Sequence, residues 1–198
     1  MSVESSTYYY NPFSVVDLEC VEDAIIPQVD MDKIRSILGQ TSSCHIQLVG
    51  KKGRGKTTHL KWISNHFPEY PIHFLNAKSD TSRLISLPSD VIFIDSIHHM
   101  SFLQRLALFK AKKNVIFTTH VSRKLECALS KKSMHSIPCR GIDRDSLKSL
   151  LNRRLELASK GRIGEHDVFT DEQVDGLMKK YKDDYRAMIY HLYDKFQL

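Results

Sequence analysis

The sequence predicts an α/β protein: a five-stranded parallel sheet flanked by helices, then a small three-helix part. Three observations predict it. Between residues 45 and 141 short continuous apolar runs alternate with amphipathic stretches, as strands covered on both faces of a parallel sheet require. A glycine-rich turn, residues 50–57, stands between the first such run and a helical stretch. After Arg140 the strand-like runs stop and only helical periodicity continues.

The first 44 residues read as a loosely structured arm followed by a short helix over 31–38, closed by Gly39. Strands are expected at 45–49, 72–76, 91–95, 114–118 and 135–139, with helices near 57–67, 102–112 and 122–129. Past the sheet, Asp143 is placed to cap a helix whose Leu147, Leu150, Leu151, Leu155 and Ala158 share one face and which closes near Gly161. Thr170 with Gln173 forms the pattern of a capping box. Asp183 or Asp184 starts a last helix carrying Tyr185, Ile189, Leu192 and Phe196 in register. The expected organisation is therefore an arm at 1–44, an α/β domain at 45–141 and a helical lid at 142–198.

Of the 198 residues 41% are hydrophobic and 26% charged, an ordinary globular balance that excludes a fibrous or disordered chain. Cys20, Cys44, Cys127 and Cys139 form no CxxC pair, so they read as reduced thiols of a cytoplasmic protein rather than a disulfide frame or zinc site. No export signal and no membrane-length apolar run is visible, and no membrane partner is expected. Charge is unevenly spread: residues 1–50 hold two basic and seven acidic side chains, residues 101–162 fifteen basic and four acidic. The second stretch could attract a polyanion such as nucleic acid, or supply solvated helix faces.

Gly50-Lys51-Lys52-Gly53-Arg54-Gly55-Lys56-Thr57 fits the phosphate-loop pattern GxxxxGK[ST] throughout. Glycines let backbone N–H groups turn inward around a β-phosphate, where a Cβ would clash. Lys56 is expected to reach the β- and γ-phosphates and the Thr57 hydroxyl to ligate Mg²⁺. Thr58 completes the cofactor-binding set, and the cofactors expected are ATP and Mg²⁺. The run Val91-Ile92-Phe93-Ile94 ends in Asp95, at the end of a strand where ligands bind in open α/β sheets. There the carboxylate would hold Mg²⁺ through water, so Thr57 and Asp95 are the expected metal residues. His98, His99 and His120 could gather nearby, but adjacent histidines point apart and no carboxylate completes a ligand set, so no metal site is expected among them.

The order of phosphate loop, apolar strand ending in Asp95, polar-ended strand and helical tail resembles that of AAA+ P-loop ATPases. Asn114-Val115-Ile116-Phe117-Thr118-Thr119-His120 is similar to the sensor-1 strand, which implies Thr118 or Thr119 near the γ-phosphate. Asp183-Asp184-Tyr185-Arg186 resembles the sensor-2 motif GDxR, with Asp183 in the glycine position, and so implies a nucleotide-sensing role for Arg186. Asn11-Pro12-Phe13 and Ile26-Pro27 resemble the N-terminal linker of origin-recognition and transposon-type members. The resemblance implies Lys56, Asp95, Thr119 and Arg186 as the residues acting on ATP. It also implies a homo-oligomer or another protein as partner.

Three positions depart from the family. Ser96 stands where a glutamate usually polarises the attacking water. Ser130-Lys131-Lys132 stands where an arginine finger is usual, and lysine lacks the guanidinium's fork. Only fourteen residues, Ala77 to Asp90, join the second and third strands. The expectation is a nucleotide-dependent switch or assembly factor with slow or partner-stimulated hydrolysis. The alternatives are a DNA-associated ATPase gripping through 101–162 and a module that binds ATP without turnover.

Overall fold

A computed structural model describes residues 8–14, 25–27, 29–39, 43–159, 168–182 and 184–197. Cys20, Asp183 and the expected helix end at Gly161 lie outside them. The chain forms two compact units by contact, one of residues 27–51 with 56–139, the other of 1–26 with 52–55 and 140–198.

The first unit holds a five-stranded sheet of order β2-β3-β4-β1-β5, parallel throughout. Its strands are β1 (Cys44–Val49), β2 (Ile72–Phe74), β3 (Val91–Asp95), β4 (Asn114–Thr119) and β5 (Ser133–Pro138), and its helices are α1 (Met31–Leu38), α2 (Lys56–Asn65), α3 (Phe102–Lys110) and α4 (Lys124–Leu129). Alternation assigns the faces. Ile46, Leu48, Val91, Phe93 and Ile116 pack with Ile34 and Ile37 of α1 and Leu60 and Ile63 of α2. Ile92, Ile94, Val115 and Phe117 pack with Leu108 and Phe109 of α3 and Cys127 of α4. Two-sided burial is why the inner strands β3 and β4 read as continuous apolar runs.

β5 begins and ends earlier than expected, and β2 is only three residues long. Both are sheet edges, where one-sided pairing lets residues such as Ser133 and Pro138 enter a strand. The short connection after β2 carries one 3₁₀ turn, Ser82–Leu84, whose Leu84 is buried.

The second unit is helical. α5 (Arg144–Ala158), α6 (Asp171–Tyr181) and α7 (Tyr185–Lys195) bury Leu147, Leu151, Leu155, Ala158, Val174, Leu177, Met188 and Leu192 together. The expected caps are present. Asp143 accepts from the Ser146 amide at 2.9 Å, Thr170 and Gln173 close a capping box, and Asp184 accepts from the Ala187 amide at 3.1 Å. Residues 8–14 are not loose. Tyr8 and Phe13 are buried in the same core, Phe13 edge-on to Phe169 and Phe196. The Arg154 guanidinium fixes them by donating to the Pro12 carbonyl at 2.8 Å and the Ser14 carbonyl at 2.5 Å. Among the described residues no helix is long and apolar enough to cross a membrane.

One buried group couples this fold to pH. His45 in β1 is fully buried beneath α3, its Nε2 3.1 Å from the Phe109 carbonyl and its Nδ1 without a hydrogen-bond partner. Burial lowers its pKa from 6.5 to about 4 despite the Phe109 bond, with Lys132 adding to the fall. The folded state thus binds this proton less readily than the unfolded one. The stability is fully present above about pH 6.5 and falls as pH drops towards 4, by roughly 3 kcal/mol in all. Denaturant titrations between pH 7 and 4 should show a loss of stability, and His45→Leu should reduce it; an unchanged slope in the variant would assign the loss elsewhere.

Candidate functional site

Three parallel strands deliver their C-terminal ends side by side: β1 runs into Gly50, β3 ends at Asp95 and β4 ends at Thr119. The Gly50 amide donates to the Thr119 carbonyl at 3.2 Å, continuing the sheet into the turn. A Cβ on Gly50 would lie 2.4 Å from the Cys139 carbonyl, so only glycine fits there.

Asp95 is the hub. Thr57 Oγ1, from the first turn of α2, donates to its Oδ1 at 3.0 Å, and Thr118 Oγ1 donates to the same oxygen at 2.8 Å. Ser96 Oγ donates to Oδ2 at 3.3 Å. A threonine hydroxyl has one proton and two lone pairs. With its proton on Asp95, Thr57 keeps lone pairs for a hard cation, and the pair of oxygens suits Mg²⁺. Lys56 is buried and its Nζ donates to the Lys51 carbonyl at 2.6 Å. Among the described residues no cluster of three His, Cys, Asp or Glu side chains has metal-binding geometry.

The structure gives the two threonines of the sensor-1-like strand different bonds. Thr118 uses its hydroxyl twice, donating to Asp95 and accepting from the Ser96 amide at 2.7 Å. Thr119, equally buried, donates to the Val121 carbonyl at 2.8 Å. Ser96 sits in the left-handed region at φ 66° with its side chain turned to Asp95, so it serves the carboxylate and offers no base. His98, His99 and His120 do gather, their rings 4.2 and 4.9 Å from His98 to its neighbours. Desolvation lowers the His98 pKa, helped by His99, His120 and Arg123 and opposed by Asp95.

The loop tip, residues 52–55, counts with the helical unit. Gly53 and Gly55 take φ 80° and 70°, a region that favours glycine. Within that unit the Asp184 carboxylate lies against Gly53, where an added Cβ would meet Oδ1 at 2.1 Å. Nothing in the loop pattern signals that neighbour. Arg186 follows in the first turn of α7, exposed.

The basic stretch is partly committed to the fold. Arg123 pairs with Glu126 at 2.8 Å, Lys113 donates to the Leu87 and Ser89 carbonyls, and Lys132 donates to Ser43 Oγ at 2.5 Å. Lys110, Lys112, Lys124 and Lys131 are exposed.

The sequence matches no protein-family model and no curated protein. Solved structures do share the fold. A DNA replication initiation factor superposes with TM-score 0.56 at 14% identity, over 87% of this chain and 62% of its own. The ORC1 protein of Aeropyrum pernix, solved in complex with DNA, superposes with TM-score 0.59 at 12% identity, over 98% of this chain and 71% of its own. This chain thus spans less than two thirds of the initiation factor's length. At such identities the likeness establishes the fold.

The bonding around Asp95 ranks the two threonines. Thr118→Val strands the Ser96 amide and removes a donor from a carboxylate, so it should cost about 1–3 kcal/mol. Thr119→Val removes one bond to a carbonyl and should cost less. Urea titration of both variants checks the order, which a reversed ranking would refute.

Proposed function

We propose that this chain, an AAA+ P-loop NTPase in fold, binds ATP with Mg²⁺ and acts as a nucleotide-dependent switch or assembly factor with slow hydrolysis. The observation that carries the reading is the 3.0 Å bond from Thr57 to Asp95. It brings the last residue of the glycine loop to the carboxylate ending β3, joining the two halves of a phosphate site. In this reading the backbone of residues 50–58 holds the phosphates and the Lys56 ammonium answers the charge of the β- and γ-oxygens. Thr57 and Asp95 hold the ion, which when bound neutralises charge on the phosphates.

Slow turnover follows from what surrounds Asp95. Ser96 is spent on Asp95 and has no carboxylate with which to take a proton from water. Thr119 at the end of β4 and Arg186 in the first turn of α7 are assigned the sensing of the terminal phosphate, on the resemblance stated above. Occupancy read through Arg186 would give the helical unit a state that a partner can distinguish.

Calorimetry tests the binding. Lys56→Ala should weaken Mg-ATP at least tenfold, about 1.4 kcal/mol, and equal affinity in the variant would refute the assignment. A phosphate-release assay tests the chemistry. Wild-type turnover should fall far below the enzyme median of about 10 s⁻¹, and Ser96→Glu should raise it. Turnover near that median would mean another residue activates the water.

A further inference from the structure

Helix α4 is fastened by its polar side and leaves an apolar side outside. Cys127 is buried in the sheet core, and Glu126 is clamped by Arg105 of α3 at 2.6 and 2.9 Å and by Arg123 at 2.8 Å. Burial pushes the Glu126 carboxyl up, but the bonds and charge of the two arginines outweigh it and hold it below the usual range. On the other side Leu125 is 83% exposed and Leu129 64%, with Ala128 exposed between them and Val121, just upstream, 65% exposed. Leu125 and Leu129 stand one helical turn apart, about 6 Å along the axis, on one face.

The segment that carries this face is basic. Residues 101–132 carry eight basic side chains and one acidic, Glu126, and Glu126 is already paired. Exposed Lys124 and Lys131 flank the leucines in sequence.

We propose that the outer face of α4, formed by Val121, Leu125 and Leu129 with Lys124 and Lys131 at its ends, docks an acidic amphipathic segment of a partner protein. Charge complementarity selects an acidic occupant, and the leucines select an apolar one, which together describe a helix face carrying leucine-like anchors among carboxylates. A nucleic-acid backbone fits poorly, because three of the central side chains offer phosphate no donor.

The probe is a synthetic helix-forming peptide with leucine at every third or fourth position and glutamate between, compared with the same peptide carrying serine for leucine. Fluorescence anisotropy at about 150 mM salt should show the leucine peptide binding at least about tenfold more tightly than the serine one. Leu125→Ser with Leu129→Ser should weaken it about tenfold, and separately Lys124→Glu several-fold. Leu125, Leu129 and Lys124 are all exposed, so thermal melting and Mg-ATP affinity should stay as in the wild type. The proposal is overturned if the wild type ignores the leucine peptide, or if the serine peptide, a DNA duplex or phosphatidylserine vesicles bind as tightly. It is overturned too if sedimentation shows wild-type self-association that the leucine substitutions abolish, since a second copy would then occupy the face.

Discussion

The carboxylate of Asp95 is the constraint on which the strand ends depend. It is half-buried at the end of β3 and takes hydroxyl protons from three different segments: Thr57 of α2, Thr118 of β4 and its own neighbour Ser96. A carboxylate withdrawn from water demands such donors, since an unpaired one would be costly. Each donor is thereby fixed. Thr57 sets the start of α2 and so the end of the glycine loop, and Thr118 holds the tip of β4 beside β3. Ser96 must turn sharply enough to bring both its hydroxyl to Asp95 and its amide to Thr118, which it does at φ 66°. A strained residue at a strand end is where function and fold make competing demands. Here the strain serves the carboxylate.

Most of the sheet was legible because its signals are local. The apolar runs of β1, β3 and β4 announce two-sided burial, and the residues that alternate between the two cores are those alternating in the sequence. The glycine loop was legible for a related reason: Gly50, Gly53 and Gly55 answer steric and dihedral demands that no other residue meets cheaply. The caps at Asp143 and Thr170 likewise act over three residues.

What the sequence hid acts over distance. Tyr8 and Phe13 look like parts of a loose arm because their partners, Phe169 and Phe196, lie more than a hundred residues on. Arg154 reads as one more surface charge, yet it is buried and anchors two carbonyls of that arm. The choice between Thr118 and Thr119 could not be made from order alone. Adjacent strand residues face opposite ways, and only the position of Asp95 says which hydroxyl meets it.

The inner surface of α4 explains how a helix with exposed leucines can be held at all. Gln47, fully buried in β1, donates to Ser122 Oγ at 3.1 Å and Ser136 Oγ at 2.6 Å, and accepts the Arg123 amide at 2.9 Å. That network pins the residues leading into α4, and the Arg105–Glu126–Arg123 group pins its middle. An ordinary surface helix is held by an apolar stripe turned inward. α4 keeps Cys127 and a set of polar bonds inside and shows its leucines to solvent, so its attachment does not compete for them. Leucines this exposed contribute little to holding α4 down and work against solubility. Their sense lies in what meets that face.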